Sequence, residues 1–490
     1  MSPVLCIAGA GTAGLEALLR ARELLRPDVR LMLIAPESEF RYRPMSAQSL
    51  YQPADERSLP IADVVAETGA TWIQDRVAAV RPEGRALLTR DGDTVKFDCL
   101  LLALGARQRQ ALAHGHVWER GRDPSFLDEI LVDMAACRVG SVAVVVPRGA
   151  RWPVPAYELA LVLGWNAAET STRVTLITAE QRPLGSLGRD ATDTVQAELE
   201  RAGVEVIGGV EAVDAPEPAS GQVAILPEPD ANADALLGRP TDPARLRLGD
   251  ATIRDFDRVI SLPTTYGPFM PGVPSDANGF VEVDEHLSVL GNDRIWAAGA
   301  CISAALEHAA LSAQQADAAV GAISTVLGTA ADQVSPEPAT MPDLTGLLLT
   351  DQRDQWRAEN PIGTHQPSTR CLWWPPGRAV GRMLAGRIQA WDPAVEDTLP
   401  ASATGVAIRV PVALGTAQQS APLAAPEVTA EIRAARLRDV ENRQLMAVAR
   451  REREADEELR ALSTRLQALA ASQQKVMREL RQHGYLRTST

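Results

Sequence analysis

Apolar and polar positions along the first 105 residues follow the order strand, turn, helix, strand. Residues 4–8 form a continuous apolar run, as in a strand that is buried on both faces of a parallel sheet. After a glycine-rich turn, residues 15–25 are rich in helix-forming Ala, Leu, Glu and Arg, and residues 30–34 predict a second strand. The pattern therefore predicts a βαβ unit, and the apolar run 97–104 predicts a further buried strand.

A second alternating segment follows the first. Its predicted elements are a strand at 142–146, a helix at 157–163, a strand at 174–177, a loop rich in Pro, Asp and Ala at 213–246, a strand near Val259, a strand at 295–299 and a helix at 306–327. Strands that alternate with helices indicate an α/β fold with parallel sheets. We expect two Rossmann-like domains of the FAD/NAD(P)-binding type, followed by a C-terminal helical coiled-coil extension.

Shifts in composition divide the chain into six predicted regions. They are the first half of an FAD-binding domain (1–110), a degenerate NAD(P)-binding-like domain (111–265), the second half of the FAD-binding domain (266–330), a Trp-rich capping region (331–395), a linker (396–427) and a helical tail (428–490). The capping region holds Trp356, Trp373, Trp374 and Trp391. The linker is low in charge, with a strand-like stretch at 405–414.

The tail has the pattern of a coiled coil. Apolar positions from Leu459 to Leu480 alternate three and four residues apart, which is a heptad seam of about three repeats. Residues 428–487 carry 13 basic and 9 acidic residues on a chain with a net charge of −14. We expect this segment to pair with a second copy or with a partner protein. The alternative is a helix that folds back onto the body.

Composition bounds the class of protein. Apolar residues make up 46% and charged residues 23%, as in a soluble globular protein. The acidic charge excludes general binding to nucleic acid. With no apolar run of about 18 residues and no local cysteine pair, we expect a reduced cytoplasmic setting and no metal site. A helix after Pro376 with one apolar face leaves open peripheral membrane contact or packing against the body.

Gly9, Gly11 and Gly14 lie between the first strand and the first helix. In a dinucleotide-binding turn the first glycine permits the tight turn, the second lets a diphosphate approach the backbone, and the third lets helix and strand pack closely. We therefore expect the turn, with Thr12 and Ala13 at the helix start, to bind the diphosphate at the positive end of the helix. No acid ends the second strand; Glu37, two residues past Ala35, is either the ribose acceptor or a solvated loop residue.

Seven short segments between residues 9 and 377 carry motifs of a known family. They are GAGTAGLEA at 9–17, LIAPE at 33–37, FRYRP at 40–44, DCLLLALGAR at 98–107, IWAAGAC at 295–301, AQQAD at 313–317 and LWWPPG at 372–377. They resemble two-dinucleotide-domain flavoproteins of the pyridine nucleotide-disulfide oxidoreductase superfamily. The nearest branches are type II NADH:quinone and sulfide:quinone oxidoreductases. The resemblance covers about residues 3–390.

The resemblance implies an FAD site between the first βαβ unit and residues 295–320. It would place the ADP half on Gly9, Gly11 and Gly14 with Glu37 on the ribose, Arg43 and Pro44 near the flavin-side loop, Gly105 and Ala106 beside the pyrophosphate, Gly299 at the ribityl chain, the amides near Leu311 at the flavin pyrimidine edge and residues 371–377 over the ring. It also implies a small-molecule redox substrate.

Two positions depart from the family pattern. The family has aspartate after the glycine of the second flavin motif, and this chain has Ala300. The second domain should carry its own glycine turn for NAD(P)H, but residues 147–155 keep one glycine and contain three prolines, which lack amide donors. Sulfide:quinone enzymes also lack a normal NAD turn here, which favours another donor. Arg148 and Arg151 could still bind a phosphate by charge, so NAD(P)H stays open.

Three further residues are candidates for catalysis. Cys301 in the second flavin motif and Cys371 before the tryptophan pair could react as thiolates near a flavin, or could be small buried apolar residues. His308, near the start of the long helix, could relay a proton or simply lie at a helix N-terminus.

Two functions follow from these patterns. The first is an FAD-dependent oxidoreductase that passes electrons from NAD(P)H or a sulfur compound to a quinone or other small acceptor. The second is a catalytically degenerate flavoprotein-fold scaffold that acts through its coiled-coil tail; Ala300 and the prolines of 147–155 motivate it.

Overall fold

The computed structural model describes most of the first 328 residues and five short stretches beyond them. The described residues are 2–41, 58–118, 125–215, 244–249, 251–328, 343–350, 372–374, 383–384, 387 and 404–411. Arg43, Pro44, Cys371 and the predicted coiled coil at 428–487 lie outside them.

The described residues form the following elements. The strands are β1 Val4–Ala8, β2 Arg30–Ile34, β3 Glu39–Arg41, β4 Ser58–Pro60, β5 Thr71–Ile73, β6 Val77–Arg81, β7 Ala86–Thr89, β8 Thr94–Lys96, β9 Cys99–Leu102, β10 Arg107–Arg109, β11 His116–Val117, β12 Ser141–Val146, β13 Arg173–Thr178, β14 Glu205–Ile207, β15 Ala212–Asp214, β16 Ala244–Leu248, β17 Ile253–Phe256, β18 Arg258–Ser261, β19 Thr264–Tyr266, β20 Ile295–Ala297, β21 Asp343–Thr350, β22 Trp373–Trp374 and β23 Thr404–Pro411. The α-helices are α1 Thr12–Leu24, α2 Ile61–Thr68, α3 Ser125–Ala135, α4 Val154–Ala167, α5 Arg189–Arg201 and α6 Ala309–Leu327.

The first sheet is parallel throughout and confirms the predicted βαβ unit. Its strand order is β20-β9-β1-β2-β5, so the chain leaves the sheet after β9 and returns to its edge at β20. Helices α1 and α6 pack against each other over this sheet. The strands are nearly all apolar because they are buried on both faces.

The second sheet is also parallel, with the order β11-β18-β12-β13-β14. The fold is therefore α/β with two parallel sheets, as predicted. Helix α4 extends beyond the predicted 157–163 because Pro153 and Pro155 lie at its N-terminus, where a proline costs no intrahelical hydrogen bond. Helix α6 begins at Ala309 rather than at 306, because His308 is extended and caps the helix.

Small antiparallel sheets complete the described body. Strands β6-β7-β8 form one of them, with the predicted turn at Asp91 and Gly92, and β15-β16-β17 form another across the ends of the predicted loop 213–246. Strands β22-β21-β23 form a third, and their apolar residues join the core around α4 and α5. The range 396–427, predicted as a linker, thus contributes β23 to this sheet. No helix among the described residues is long and apolar enough to cross a membrane.

Candidate functional site

The turn after β1 is closed tightly on two sides. Gly9 has a φ of +107°, and a Cβ there would come within 2.2 Å of the Ala103 carbonyl oxygen at the end of β9. A Cβ on Gly14 would come within 1.9 Å of the Gly9 carbonyl oxygen. These two positions therefore accept only glycine, because turn, helix and neighbouring strand touch through their backbones.

Gly11 differs from its neighbours, because it faces open space. A Cβ there would meet no atom within 4 Å, and its φ of −77° is open to any residue. Gly11 is the N-cap of α1 and offers no side-chain oxygen to the helix amides, and the first turn, with Thr12 and Ala13, contains no acidic residue. An anion placed here would meet the positive end of the helix dipole and a clear approach to the backbone.

Parallel pairing brings the other predicted residues to the same edge of the first sheet. Gly105, which follows β9, has a φ of +67° and open space in the Cβ direction, with Ala106 beside it. Gly299 follows β20, and a Cβ there would lie 3.0 Å from the Cβ of Ala13 in α1. The open space that these residues leave fits the diphosphate of a dinucleotide, because the diphosphate must approach the protein backbone closely.

Glu37 also lies at this edge, three residues after β2. Its side chain is exposed and its carboxylate lies 3.8 Å from Arg76 Nη2. The position is compatible with a ribose hydroxyl, and the role stays a prediction.

The turn from Gly299 to Cys301 is held by a residue that the sequence did not single out for this role. The buried Gln315 on α6 accepts a hydrogen bond from the Gly299 amide at Oε1 over 2.9 Å. A glutamine nearly two turns into a largely apolar helix was the available sequence signal. Leu311 lies in the first turns of α6, with its side chain buried in the second core.

Cys301 is placed as a structural residue. It is fully buried, and its thiol donates to the carbonyls of Ala298 and Leu102 over 3.3 and 3.4 Å. Burial raises the pKa of the Cys301 thiol to about 11, so the thiol stays protonated at neutral pH. This geometry argues against the thiolate chemistry that the sequence suggested.

Native-state labelling checks this placement. A brief pulse of N-ethylmaleimide at pH 7.5 is expected to modify the exposed Cys137 and to leave Cys6, Cys99 and Cys301 unmodified, because all three are buried. Peptide mass spectrometry after the pulse, with a denatured control in which all four react, provides the measurement. Native labelling of Cys301 as fast as that of Cys137 would contradict its burial.

His308 caps α6, and its ring packs at a tilt against Trp152 and edge-to-face against Trp373. Its Nδ1 accepts from the Ala310 amide over 3.2 Å, so the neutral ring carries its proton on Nε2. Its ring centroid lies 4.7 Å from that of Trp152 and 6.5 Å from that of Trp373. Helix capping is thus one role of His308, and its role in proton transfer stays a prediction.

The turn at the N-terminus of α4 does not repeat the open cradle of α1. The Ala150 and Ala156 amides donate within the segment, to the carbonyls of Pro147 and Pro153, and Pro153 and Pro155 have no amide hydrogen. Arg148 lies 3.3 Å from Glu211 in an ion pair. Three prolines and these internal bonds leave the segment fewer amide donors than a glycine turn would offer to a second diphosphate.

Arg151 turns inward from this segment. Its Nη1 and Nη2 donate to the carbonyls of Ala300 and Ile302 over 2.9 and 3.1 Å, and its guanidinium lies 4.3 Å from the centroid of Phe280. It does not face outward toward a phosphate, as the sequence allowed. A small cavity of about 30 Å³, which is room for one or two waters, lies beside Arg151, Trp152 and Glu307.

Comparison with known proteins gives a consistent picture. Residues 4–237 match the family described as pyridine nucleotide-disulphide oxidoreductase. The chain is 22% identical over 198 residues to a sulfide-quinone reductase of Aquifex aeolicus, covering 37% of this chain and 44% of that protein. It is 28% identical over 131 residues to the alternative NAD(P)H-ubiquinone oxidoreductase C1 of Arabidopsis thaliana, covering 23% of this chain and 25% of that protein. The matches thus span less than half the length of these curated relatives.

A solved structure shows the same fold over a longer range. The sulfide:quinone oxidoreductase from Aquifex aeolicus superposes with a TM-score of 0.52 at 17% sequence identity, covering 71% of this chain and 80% of that chain. At this identity the likeness concerns the fold.

Proposed function

We propose that this chain, of which residues 4–237 match the pyridine nucleotide-disulphide oxidoreductase family, is an FAD-dependent oxidoreductase that passes electrons to a quinone or another small acceptor. The observation that carries the proposal is the turn after β1. A Cβ at Gly9 or Gly14 would collide with backbone atoms, whereas a Cβ at Gly11 would meet no atom within 4 Å. That combination serves a ligand that must touch the backbone, and packing alone does not require it.

The residues of the chain would bind and orient the cofactor. The α1 N-terminus, with Gly11, Thr12 and Ala13, would hold the diphosphate, and Glu37 would accept hydrogen bonds from the ribose. Gly105 and Gly299 would border the ligand, while Gln315 keeps the Gly299 turn in place. The flavin, when bound, supplies the two-electron chemistry, and the protein supplies binding, orientation and electrostatics.

We further propose that the electron donor does not bind as a dinucleotide on the α4 turn. The three prolines of 147–155 and the internal bonds of the Ala150 and Ala156 amides support this proposal. A sulfur compound or another small reductant fits better than NAD(P)H, and the names of the two curated relatives support a quinone as acceptor.

Spectroscopy of the purified full chain tests the proposal. We expect a yellow protein with close to one FAD per chain, whose flavin absorbance bleaches anaerobically with sulfide and not with NADH or NADPH. Bleaching by NADH or NADPH would overturn the donor proposal alone. A folded, colourless chain that does not take up added FAD would overturn the oxidoreductase and favour the scaffold that acts through residues 428–487.

A further inference from the structure

Arg151 is a buried cation that the proposed function has not yet used. Its side chain is 8% exposed, and no carboxylate among the described residues forms an ion pair with it. Its Nε is buried without a hydrogen-bond partner in the described part of the chain. A buried charge is costly unless it is compensated, so a guanidinium kept in this state requires an explanation.

The surroundings of Arg151 compensate its charge only in part. Burial lowers the pKa of Arg151, while Glu307, Cys301 and Asp276 act through space to raise it. The Asp276 carboxylate is already engaged by the Ser303 hydroxyl and by the Asn278 and Phe280 amides. Arginine keeps its proton in proteins, so the guanidinium remains positive.

The guanidinium contacts the turn after β20, and this turn lies against the proposed diphosphate site. It binds the carbonyl of Ala300, which follows Gly299, and Gly299 lies against Ala13 in the first turn of α1. The Arg151 carbonyl also accepts from the Glu307 amide over 3.0 Å, so the α4 turn is anchored to the first domain at three points. A positive charge is thus fixed next to residue 300, where the resembling family carries a negative one.

We propose that Arg151 is a positioning residue for the flavin nucleotide, which holds the Gly299–Ile302 turn by two carbonyl contacts and attracts the negative diphosphate by its charge. The proposal rests on the proposed function, because it requires that FAD binds. It explains why the chain can lack a carboxylate at residue 300: a carboxylate there would neutralise Arg151. The segment before α4, where a second dinucleotide would bind, thus supports the Gly299–Ile302 turn of the proposed FAD site.

Titration of the apo-protein with FAD tests the proposal, with dissociation constants measured from the change in flavin fluorescence. We expect Arg151→Gln to weaken FAD binding about tenfold, because a unit charge at a partly buried site contributes on this scale. Arg151→Lys keeps the charge but not the paired carbonyl contacts, so it should lose less affinity than Arg151→Gln does. Urea unfolding of each variant separates a loss of affinity from a loss of fold.

Ala300→Asp gives the sharper test. We expect it to weaken FAD binding about tenfold, because the new carboxylate pairs with Arg151 and repels the diphosphate. In the Ala300→Asp background, Arg151→Gln should change the affinity less than it does in the parent chain, which is a coupling that a purely structural role would not produce.

The outcomes separate this proposal from the proposed function. If the parent chain does not bind FAD, both fail. If the parent chain binds FAD and Arg151→Gln binds equally well, or Arg151→Lys loses as much affinity as Arg151→Gln, only the role of Arg151 fails. Tighter FAD binding by Ala300→Asp would likewise overturn that role. If Arg151→Gln does not fold, the FAD affinity of Ala300→Asp tests the role of Arg151 by itself.

Discussion

Replacing Gly11 with valine is expected to weaken FAD binding at least about 100-fold, equivalent to about 2.7 kcal/mol, while the protein stays folded. The Cβ direction of Gly11 points into open space and its φ of −77° suits any residue, so the valine side chain has room in the free protein. The same space is where a diphosphate must approach the backbone, so the branched side chain and the ligand cannot both occupy it. The free energy of unfolding should change by no more than about 1 kcal/mol, the usual cost of a poor N-cap.

Two matched variants make this result specific. Gly185→Val introduces the same side chain at another position with open space and no positive φ, and it should bind FAD like the parent chain. Gly14→Ala should destabilise the fold by more than about 3 kcal/mol, because its Cβ would lie 1.9 Å from the Gly9 carbonyl oxygen. Flavin content and urea unfolding provide the measurements. Full FAD occupancy in Gly11→Val would show that FAD does not bind at this turn.

Replacing Glu16 with alanine is expected to lower the free energy of unfolding by about 2–4 kcal/mol. Glu16 is 0% exposed, and its carboxylate accepts hydrogen bonds from the Met383 and Leu384 amides over 2.7 and 2.8 Å. Alanine would leave both amide donors without this acceptor in a buried setting, and would detach the C-terminal segment from α1.

Urea unfolding measures the loss, and limited proteolysis reports whether cleavage near residue 383 becomes faster. The control is Glu200→Ala, an exposed glutamate on α5, which should change the free energy of unfolding by less than about 0.5 kcal/mol. Equal stability of the two variants would show that the contact between Glu16 and the C-terminal segment contributes little.

Buried carboxylates on α1 and α4 make equivalent contacts with C-terminal segments. Glu158 on α4 accepts from the Leu372 amide over 2.7 Å, as Glu16 on α1 accepts from Met383 and Leu384. In the sequence, Glu158 is only an acid within the predicted helix 157–163. Its partner lies 214 residues away, and no local pattern identifies such a contact.

Much of the first site could be predicted from local patterns. Strand β1 at Val4–Ala8 and strand β2 at Arg30–Ile34 were predicted with their observed bounds, because a buried parallel strand is a continuous apolar run. On their spacing, Gly9 was assigned to the tight turn and Gly14 to close packing. A Cβ on Gly9 would meet the Ala103 carbonyl just after β9, and a Cβ on Gly14 would meet the Gly9 carbonyl. These features depend on neighbours in the chain or on the pairing of adjacent strands.

Local patterns predicted less about the segment that follows β12 and about Cys301. The prolines of 147–155 predicted the loss of a glycine turn, but not what replaced it. Arg151 was read as a charge that could bind a phosphate of NAD(P)H, whereas it lies inside the protein against Ala300 and Ile302. Cys301, a redox candidate on its motif, has a protonated thiol because burial raises its pKa to about 11.

By itself, the order of apolar runs, glycines and helix-forming residues predicted two parallel α/β units and a glycine turn suited to a dinucleotide. These features depend on backbone sterics and on the repeat of apolar positions, and both involve only a few neighbouring residues. Only the tertiary structure decided which groups hold the neighbouring turn at Gly299–Ile302. Gln315 reaches Gly299 from α6, and Arg151 reaches Ala300 from the segment before α4. Such contacts depend on how helices and loops from distant parts of the chain pack, and burial then decides the charge state of each group.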